Sequence, residues 1–553
     1  MTPRTGSRTA RPRESSARDV GGVPGRPSGG PGGRASGVRT LAALAGLAAF
    51  ALAAAGVDDL GVTWDEPGYL ESAKLQVAWL RELPGRAADG GLAVWASADT
   101  LERYWHASPY ANPHPPFYKT VAGAAWALFH EQLGDYPAFR LAPAALFGLT
   151  VGLLLLWGAS AASTAAGAAA AGALVLMPRV FGDAHVAATD MPLTAFWTLA
   201  AWGFWRAQRD RRLAGSLAFG AGWGMALATK FTGILLAAPL VAWGLVAARP
   251  RLLRTLVVGA ALAAGLLLAL HPWLWPDPVG RWQAFLQQST TRSEWIPIWT
   301  WYLGRVYAFV LPWHHAPVMT LVTVPLPLLA LAGLGAARVV ERARRPLALL
   351  CLVEIAFFQA LMALPSSPGH DGVRLFLPQF PFVALLAGLG FERVLREVRA
   401  RVPEGAGASS AAAAAAVVLF VPPAVTLART HPHELAYYNE LVGGAVGAHR
   451  RGFESTYWFD AATPDFLRRM ERALPAGAEV WTDPAPWHFR ELQDAGLLRR
   501  DLVFTDRLPA PWLLLMTRQG QFRPFQWRLH RSVAPVVEES YDGVTLMALY
   551  RWR

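Results

Sequence analysis

The stretch LAALAGLAAFALAAAGVDDLGVTWDEPGY, residues 41–69, decides how the chain must be read. Leu41 to Val57 carries no charge and is close to the length of apolar chain that crosses a bilayer. Two adjacent carboxylates, Asp65 and Glu66, follow within a few residues. Acids at a membrane edge are costly unless they are solvated or used. The segment therefore reads as a first transmembrane helix that delivers a pair of acids to one membrane surface.

Working outward, the rest of the chain repeats the apolar half of that pattern. Hydrophobic residues make up 53% and charged residues 16%, against about 25% charged in soluble domains. Apolar runs occur at 41–57, 139–159, 164–182, 191–205, 213–229, 231–248, 255–275, 318–337, 347–364, 375–391 and 409–428, so about eleven transmembrane helices are expected. The Ala-rich pieces Ala161–Ala173 and Ala411–Ala416 suit close helix packing. A twelfth candidate, Pro115–His130, is shorter.

Arginine decides sidedness. Clusters lie in the N-terminal tail and at Arg206/Arg209/Arg211/Arg212, Arg249/Arg251/Arg254, Arg338/Arg342/Arg344/Arg345 and Arg393/Arg396/Arg399/Arg401. Positively charged short loops stay cytoplasmic. With eleven spans all five clusters share one side; a twelfth crossing would separate the tail from the other four. Pro115–His130 is thus expected in the outer interface, as an amphipathic or re-entrant helix. The N-terminus is then cytoplasmic in a multi-pass protein of the cytoplasmic (inner) membrane. Residues 58–138, 183–190, 272–317, 365–374 and everything after Thr430 lie outside.

The net charge of +12 does not signal nucleic acid, because much of it sits in that tail and in short loops. Residues 1–40 carry eight arginines among Gly, Pro and Ser, a composition that reads as disordered. Cys351 is the single cysteine, which excludes disulfides and cysteine metal sites. Period-two stretches at Glu479–Thr482, Pro511–Thr517 and Gly543–Tyr550, with helix-like Pro464–Leu474 ahead of them, predict a small α/β domain in 431–553. The expected fold is an all-α polytopic membrane domain over 41–430, whose first external loop is 58–138, followed by that extracytoplasmic domain.

The external segments hold the candidate chemistry. Asp65 is placed to act as a general base toward a substrate hydroxyl; capping of the helix Tyr69–Leu80 by Asp65 or Glu66 is the alternative. Asp190, followed by Met191-Pro192, reads equally as a second external acid or a helix start. Asp183 and His185 lie nearby. The chain has only three lysines, Lys74, Lys119 and Lys230, and all three map outside. Compact ammonium groups at interface depth suit phosphate oxygens, although lysine also snorkels at helix ends. Asn112-Pro113-His114-Pro115-Pro116-Phe117-Tyr118-Lys119 forms a rigid turn into the interfacial helix. Gly369-His370-Asp371-Gly372-Val373-Arg374 adds a cation, Arg374. The tryptophans of 272–317 are expected to form an aromatic belt or to hold a polyprenyl chain or a sugar. The histidines show no H-E-x-x-H pattern, and His431/His433 is an isolated H-x-H. No P-loop, GxSxG or Rossmann fingerprint is present. The sequence calls for no cofactor and no metal, with a divalent cation left open.

Taken together these residues resemble the family 39 glycosyltransferases of the GT-C fold, a group that includes protein O-mannosyltransferases and bacterial lipid A aminoarabinose transferases. The resemblance runs from Leu41 to about Trp458. It rests on Trp64-Asp65-Glu66-Pro67-Gly68-Tyr69, the Pro-Pro turn before Lys119, Arg140-Leu141-Ala142-Pro143-Ala144-Ala145-Leu146, Thr189-Asp190-Met191-Pro192-Leu193 and Ala228-Thr229-Lys230. Gly372-Val373-Arg374 with Pro378, and His431-Pro432 through Tyr437-Tyr438-Asn439-Glu440 to Gly443-Gly444, complete it. It implies inverting transfer of a sugar from a polyprenyl-phosphate donor to an acceptor hydroxyl on protein, lipid or glycan. Asp65 is the implied base, grouped with Glu66 and Asp190, and Lys119, Lys230, Arg374 and His114 are implied around the donor phosphate. The chain departs from the family at one point: related sequences often place lysine directly before Pro-Pro, where this one has His114. Two rivals stand beside this reading, a transporter or flippase of a lipid-linked sugar and a non-catalytic assembly protein. A transporter predicts ionisable residues in mid-span, and Glu354 is the main such residue.

Overall fold

The computed structural model describes residues 31–106, 114–210, 212–247, 249–295, 298–402, 405–483 and 485–552. The expected disordered tail falls outside the described residues up to position 30. From Pro31 the backbone is already helical, so the first helix, α1 (Pro31–Ala55), begins ahead of its apolar run. Each of the eleven apolar runs builds helix. Among the described residues six helices are individually long and apolar enough to cross a bilayer: Ser36–Ala55, Asp135–Ala161, Leu252–Ala269, Arg345–Met362, Arg374–Arg401 and Ala406–Thr430.

Not every run is one straight span: 164–182 divides between helices Thr164–Val175 and Pro178–Asp183. Residues 318–337 are divided between helices His315–Thr323 and Leu326–Val340, which meet at 117°. Pro325 is the reason: it donates no backbone N–H and drives the residue before it out of the helical region. Val324 accordingly takes φ −99°, ψ 133°.

The helices that carry the site are α2 (Glu66–Ala88), α3 (Phe117–Leu133), α4 (Asp135–Ala161), α5 (Asp190–Arg209), α6 (Ala214–Leu227) and α7 (Phe380–Arg401). Arg374–Arg401 is the centre of the bundle, with 89% of its apolar window buried, whereas Leu252–Ala269 and Ala406–Thr430 leave most of theirs uncovered. Between apolar helices in a membrane, close backbone approach replaces the hydrophobic drive. A Cβ on Gly390 would lie 1.9 Å from the Leu331 carbonyl oxygen, and one on Gly335 would lie 1.8 Å from that of Leu386. The helix Leu326–Ala336 therefore meets α7 backbone to backbone.

The expected aromatic belt is in part a packed core. Trp273 is buried against Trp79, Trp95 and Trp105, and Trp79 stacks on Trp95 at 3.6 Å. The same 272–317 segment contains a hairpin, β1 (Trp299–Tyr302) and β2 (Arg305–Ala308). Leu303 (φ 49°) and Gly304 (φ 75°) make its tight turn.

After Thr430 an irregular stretch leads to helix Pro464–Ala473 and then to β3 (Glu479–Asp483), α8 (Pro486–Asp494), β4 (Val503–Thr505), β5 (Trp512–Met516), β6 (Val537–Tyr541) and β7 (Val544–Arg551). The sheet order is β4-β3-β5-β7-β6. Strands β3, β4 and β5 run parallel, while β7 is antiparallel to both β5 and β6. Every residue of β5 is buried. Trp512, Leu514 and Met516 join the main core, and Leu513 and Leu515 join a second cluster with Trp481 and Leu529. This is the alternation of a strand covered on both faces.

Gly390→Val should greatly reduce monodisperse protein in detergent, since overpacking a tight contact costs about 1–3 kcal/mol or more. Gly333→Val, on the facing helix but with no atom within 4 Å of its Cβ position, should elute as the parent does. Size-exclusion profiles of the two variants give the comparison.

Candidate active site

The two adjacent acids that open α2 have separate fates. Pro67 stands at the start of the helix, where its missing N–H costs nothing. Glu66 turns inward and is fully buried. Its Oε2 accepts from the Thr63 backbone N–H at 2.7 Å, the Thr63 hydroxyl at 3.1 Å and Arg140 Nη2 at 2.7 Å. Its Oε1 accepts from Arg140 Nε at 2.7 Å and the Ala187 backbone N–H at 2.9 Å. Arg140, from α4, donates its remaining hydrogens to the carbonyls of Val57 at 2.8 Å, Leu60 at 3.0 Å and Gly61 at 2.8 Å. One bidentate pair thus fastens the whole connection between α1 and α2 to α4. Glu66 has no coordination left for a substrate.

Asp65 occupies the N-cap position, yet its side chain makes no capping bond. It turns to Arg374 and Trp458 instead. Its Oδ2 accepts from Arg374 Nη1 at 2.9 Å and from Trp458 Nε1 at 3.1 Å. Among the described residues Oδ1 has no hydrogen-bond donor, and the side chain is 22% exposed. Arg374 stacks on Trp458, 4.2 Å from ring centroid to guanidinium carbon. Its Nη2 reaches Asp371 Oδ2 at 3.0 Å, and Nη1 lies 3.9 Å from Asp190 Oδ2. Lys230, just past the end of α6, donates to Asp190 Oδ1 at 2.5 Å. Asp65, Asp190, Lys230 and Arg374, four expected site residues from four parts of the sequence, are therefore one linked cluster.

Lys119 lies in the first turn of α3, fully buried. Its Nζ donates to the His114 carbonyl at 2.6 Å and sits 5.6 Å from the Tyr69 ring centroid. Burial pushes its amine down to about 7. The Phe117 N–H donates to the Ala228 carbonyl at 2.9 Å, so the Lys119 turn and the Lys230 turn are directly joined. The His114 imidazole packs beside Tyr69, with ring centroids 6.1 Å apart; residues 112 and 113 of that turn lie outside the described ones. Lys74, the third lysine, stands elsewhere and pairs with Asp135 at 2.7 Å. Asp183 is buried behind Asp190, and burial with the Asp190 charge pushes its carboxyl well above the usual range.

Three participants were not singled out in the sequence reading. Asp371 bridges Arg374 and Arg518, whose Nη2 donates to Asp371 Oδ1 at 2.8 Å. Burial raises the Asp371 carboxyl, but Arg374 and Arg518 outweigh it and hold it below the ordinary value. Arg518 and Trp458 both come from beyond Thr430, in stretches with no motif around them, so no local signal marks either one.

A cavity of about 640 Å³ lies between α2 and α8, lined by Gly68, Glu71, Ser72, Lys74, Glu491 and Asp494 among others, and none of Asp65, Asp190, Lys230 and Arg374 lines it. Glu491 is pushed up to about 7 by burial, with Asp494 and Glu71 adding to the effect.

Residues 113–275, which hold His114, Lys119, Asp190 and Lys230, match the family model of dolichyl-phosphate-mannose-protein mannosyltransferases. The fold is shared with ArnT from Cupriavidus metallidurans bound to undecaprenyl phosphate. Identity is 17% and the TM-score 0.50, over 93% of this chain and 98% of that one. It is shared too with the oligosaccharyltransferase of Archaeoglobus fulgidus in its apo form, at 13% identity and a TM-score of 0.51, over 86% of this chain and 65% of that one. No curated protein matches by sequence. The resemblance to GT-C glycosyltransferases is borne out, with the fold shared over 93% of the chain.

Arg140→Leu leaves Glu66 buried without its cation, which costs about 3–5 kcal/mol. Thermal unfolding in detergent should show a large drop for Arg140→Leu and little change for Asp65→Asn. Equal unfolding temperatures for the two would remove the fastening role of the Glu66–Arg140 pair.

Proposed function

We propose that this protein is a membrane glycosyltransferase that moves a sugar from a polyprenyl-phosphate donor to an acceptor hydroxyl outside the cytoplasm. One observation carries the reading: Asp65 has one oxygen gripped by two donors and the other, among the described residues, without one, in a cluster that also holds Arg374, Asp190 and Lys230. A general base needs that combination, a fixed carboxylate with one lone pair free toward the proton it takes.

The acceptor hydroxyl approaches Asp65 on its Oδ1 side. As its oxygen bonds to the anomeric carbon, its proton passes to Asp65 Oδ1 and the bond from that carbon to the phosphate oxygen breaks. Attack from the face opposite the phosphate inverts the anomeric centre, and polyprenyl phosphate departs. The leaving group gains charge on its bridging oxygen, so fixed cations lower the barrier. Lys119, Lys230 and Arg374 supply them, with His114 shaping the turn that presents Lys119. Asp190 orients Lys230, and Glu66 acts as an anchor rather than a reactant. With the arginine clusters cytoplasmic and this end of the bundle outside, a membrane-tethered donor is the energy source consistent with a compartment lacking nucleotide sugars. The acceptor is a protein, a lipid or a glycan of the cell envelope.

Purified protein with labelled undecaprenyl-phosphoryl hexoses and pentoses, and membrane extract as acceptor, should consume one donor. Asp65→Asn should lower the rate by about a hundredfold or more; full activity in that variant sinks the reading.

The Lys119 amine is protonated below about 7 and neutral above it, while a phosphodiester donor keeps its single charge across that range. Donor affinity should therefore weaken about tenfold from pH 6 to pH 8, and Lys119→Met should bind more weakly with a flat pH dependence. A parent protein whose donor affinity is already flat from pH 6 to 8 would take the phosphate away from Lys119.

A further inference from the structure

The catalytic carboxylate proposed above is held largely by the part of the chain that follows the last long apolar helix. Trp458 donates its indole N–H to Asp65 Oδ2 at 3.1 Å and offers its ring as the platform for Arg374. Arg518 is fully buried and gives one hydrogen bond to the Tyr457 carbonyl at 2.6 Å and another to Asp371 at 2.8 Å. Its guanidinium also covers the Trp64 ring, 4.9 Å from the centroid, immediately before Asp65 in sequence. Charges thus alternate from Asp65 to Arg374 to Asp371 to Arg518, linking the first external loop to the edge of β5.

The backbone on either side is clamped as well. The Gly61 N–H donates to the Asp460 carbonyl at 2.8 Å. A Cβ at Gly61 would lie 2.5 Å from the Phe459 carbonyl oxygen, so only glycine lets the two strands of chain touch. Phe459 itself holds φ +68°, a costly value for a bulky residue that persists only where surroundings over-determine it. Those surroundings are a parallel stack on His488 of α8, at 4.8 Å and 6°, and an edge contact with Trp64 at 5.8 Å. Strain of this kind, next to the reacting group, is spent on placing it.

We infer that Trp458 and Arg518 are positioning residues for the transfer reaction, Trp458 acting on Asp65 directly and Arg518 acting through Asp371 and Arg374. The C-terminal domain is therefore a wall of the active site and not a separable acceptor-binding module. The inference rests on Asp65 being the base.

The test uses full-length protein, the labelled undecaprenyl-phosphoryl sugar consumed by the parent, and membrane extract. Trp458→Phe keeps an aromatic platform and removes only the N–H. Its kcat should fall about tenfold or more, the loss expected for a hydrogen bond to a charged group, with donor and acceptor KM within about twofold and an unchanged unfolding temperature. Arg518→Met should lose kcat similarly, and Arg518→Lys should restore part of it. A merely structural role would lower the unfolding temperature and the active fraction together, leaving kcat per folded molecule intact, and that result overturns the inference. So does a Trp458→Phe protein with the parent's kcat while Asp65→Asn is inactive. Activity surviving in Asp65→Asn would instead bring down the function proposed for the site.

Discussion

Ionised side chains taken out of water at a membrane edge persist only in pairs, since an unpaired buried charge costs several kcal/mol. That constraint organises the charged end of this helix bundle. Glu66 pairs with Arg140, Asp190 with Lys230, and Asp371 with both Arg374 and Arg518. Because each cation is shared or flanked by a fixed acid, no member can move without leaving a neighbour uncompensated. Asp371 and Gly372 both take positive φ, 59° and 66°, which turns the chain so that Asp371 and Arg374 face each other. A side chain at Gly372 would meet Arg179 Nη1 at 2.7 Å and the Tyr457 hydroxyl at 2.8 Å.

Within this lattice the asymmetry of Asp65 stands out from its neighbour. Glu66 accepts five hydrogen bonds and is sealed; Asp65 accepts two, both on one oxygen. Their adjacent positions at the helix start point them to opposite sides, one to the interior and one to the site. The sealed acid gives rigidity to the loop that presents the open one. The mid-span acid Glu354, the feature that a transport reading leans on, is buried and accepts from Trp197 Nε1 at 2.9 Å. It lies among packed apolar helices, away from the charged cluster.

Much of this was legible from sequence, for identifiable reasons. Apolar runs report burial in lipid whatever the tertiary contacts, so every predicted span is helical. They do not report backbone breaks, which is why Pro325 passed unnoticed inside a run. Asp65, Asp190, Lys230 and Arg374 were each visible as polar groups at the ends of such runs. Their pairings were not: Asp65 and Arg374 are 309 positions apart, and no periodicity links them. Lys74 looked equivalent to Lys119 on composition and is instead paired with Asp135 on the wall of the cavity between α2 and α8. In the C-terminal domain β3, β5 and β7 fall on the period-two stretches, whereas β6 was missed and β4, only three residues long, is too short to show alternation. Trp458 and Arg518 gave no warning, because their importance comes entirely from what lies across the fold.

The central claim is that Asp65 faces the reacting sugar with one free oxygen while Arg374 and the lysines face the phosphate. A cryo-electron microscopy structure with bound undecaprenyl phosphate tests it most directly. The account predicts phosphate density within hydrogen-bond reach of Lys119, Lys230 or Arg374, on the side of Asp65 that bears Oδ1. Phosphate bound away from all three cations, or Oδ1 turned from the space beside it, would contradict it.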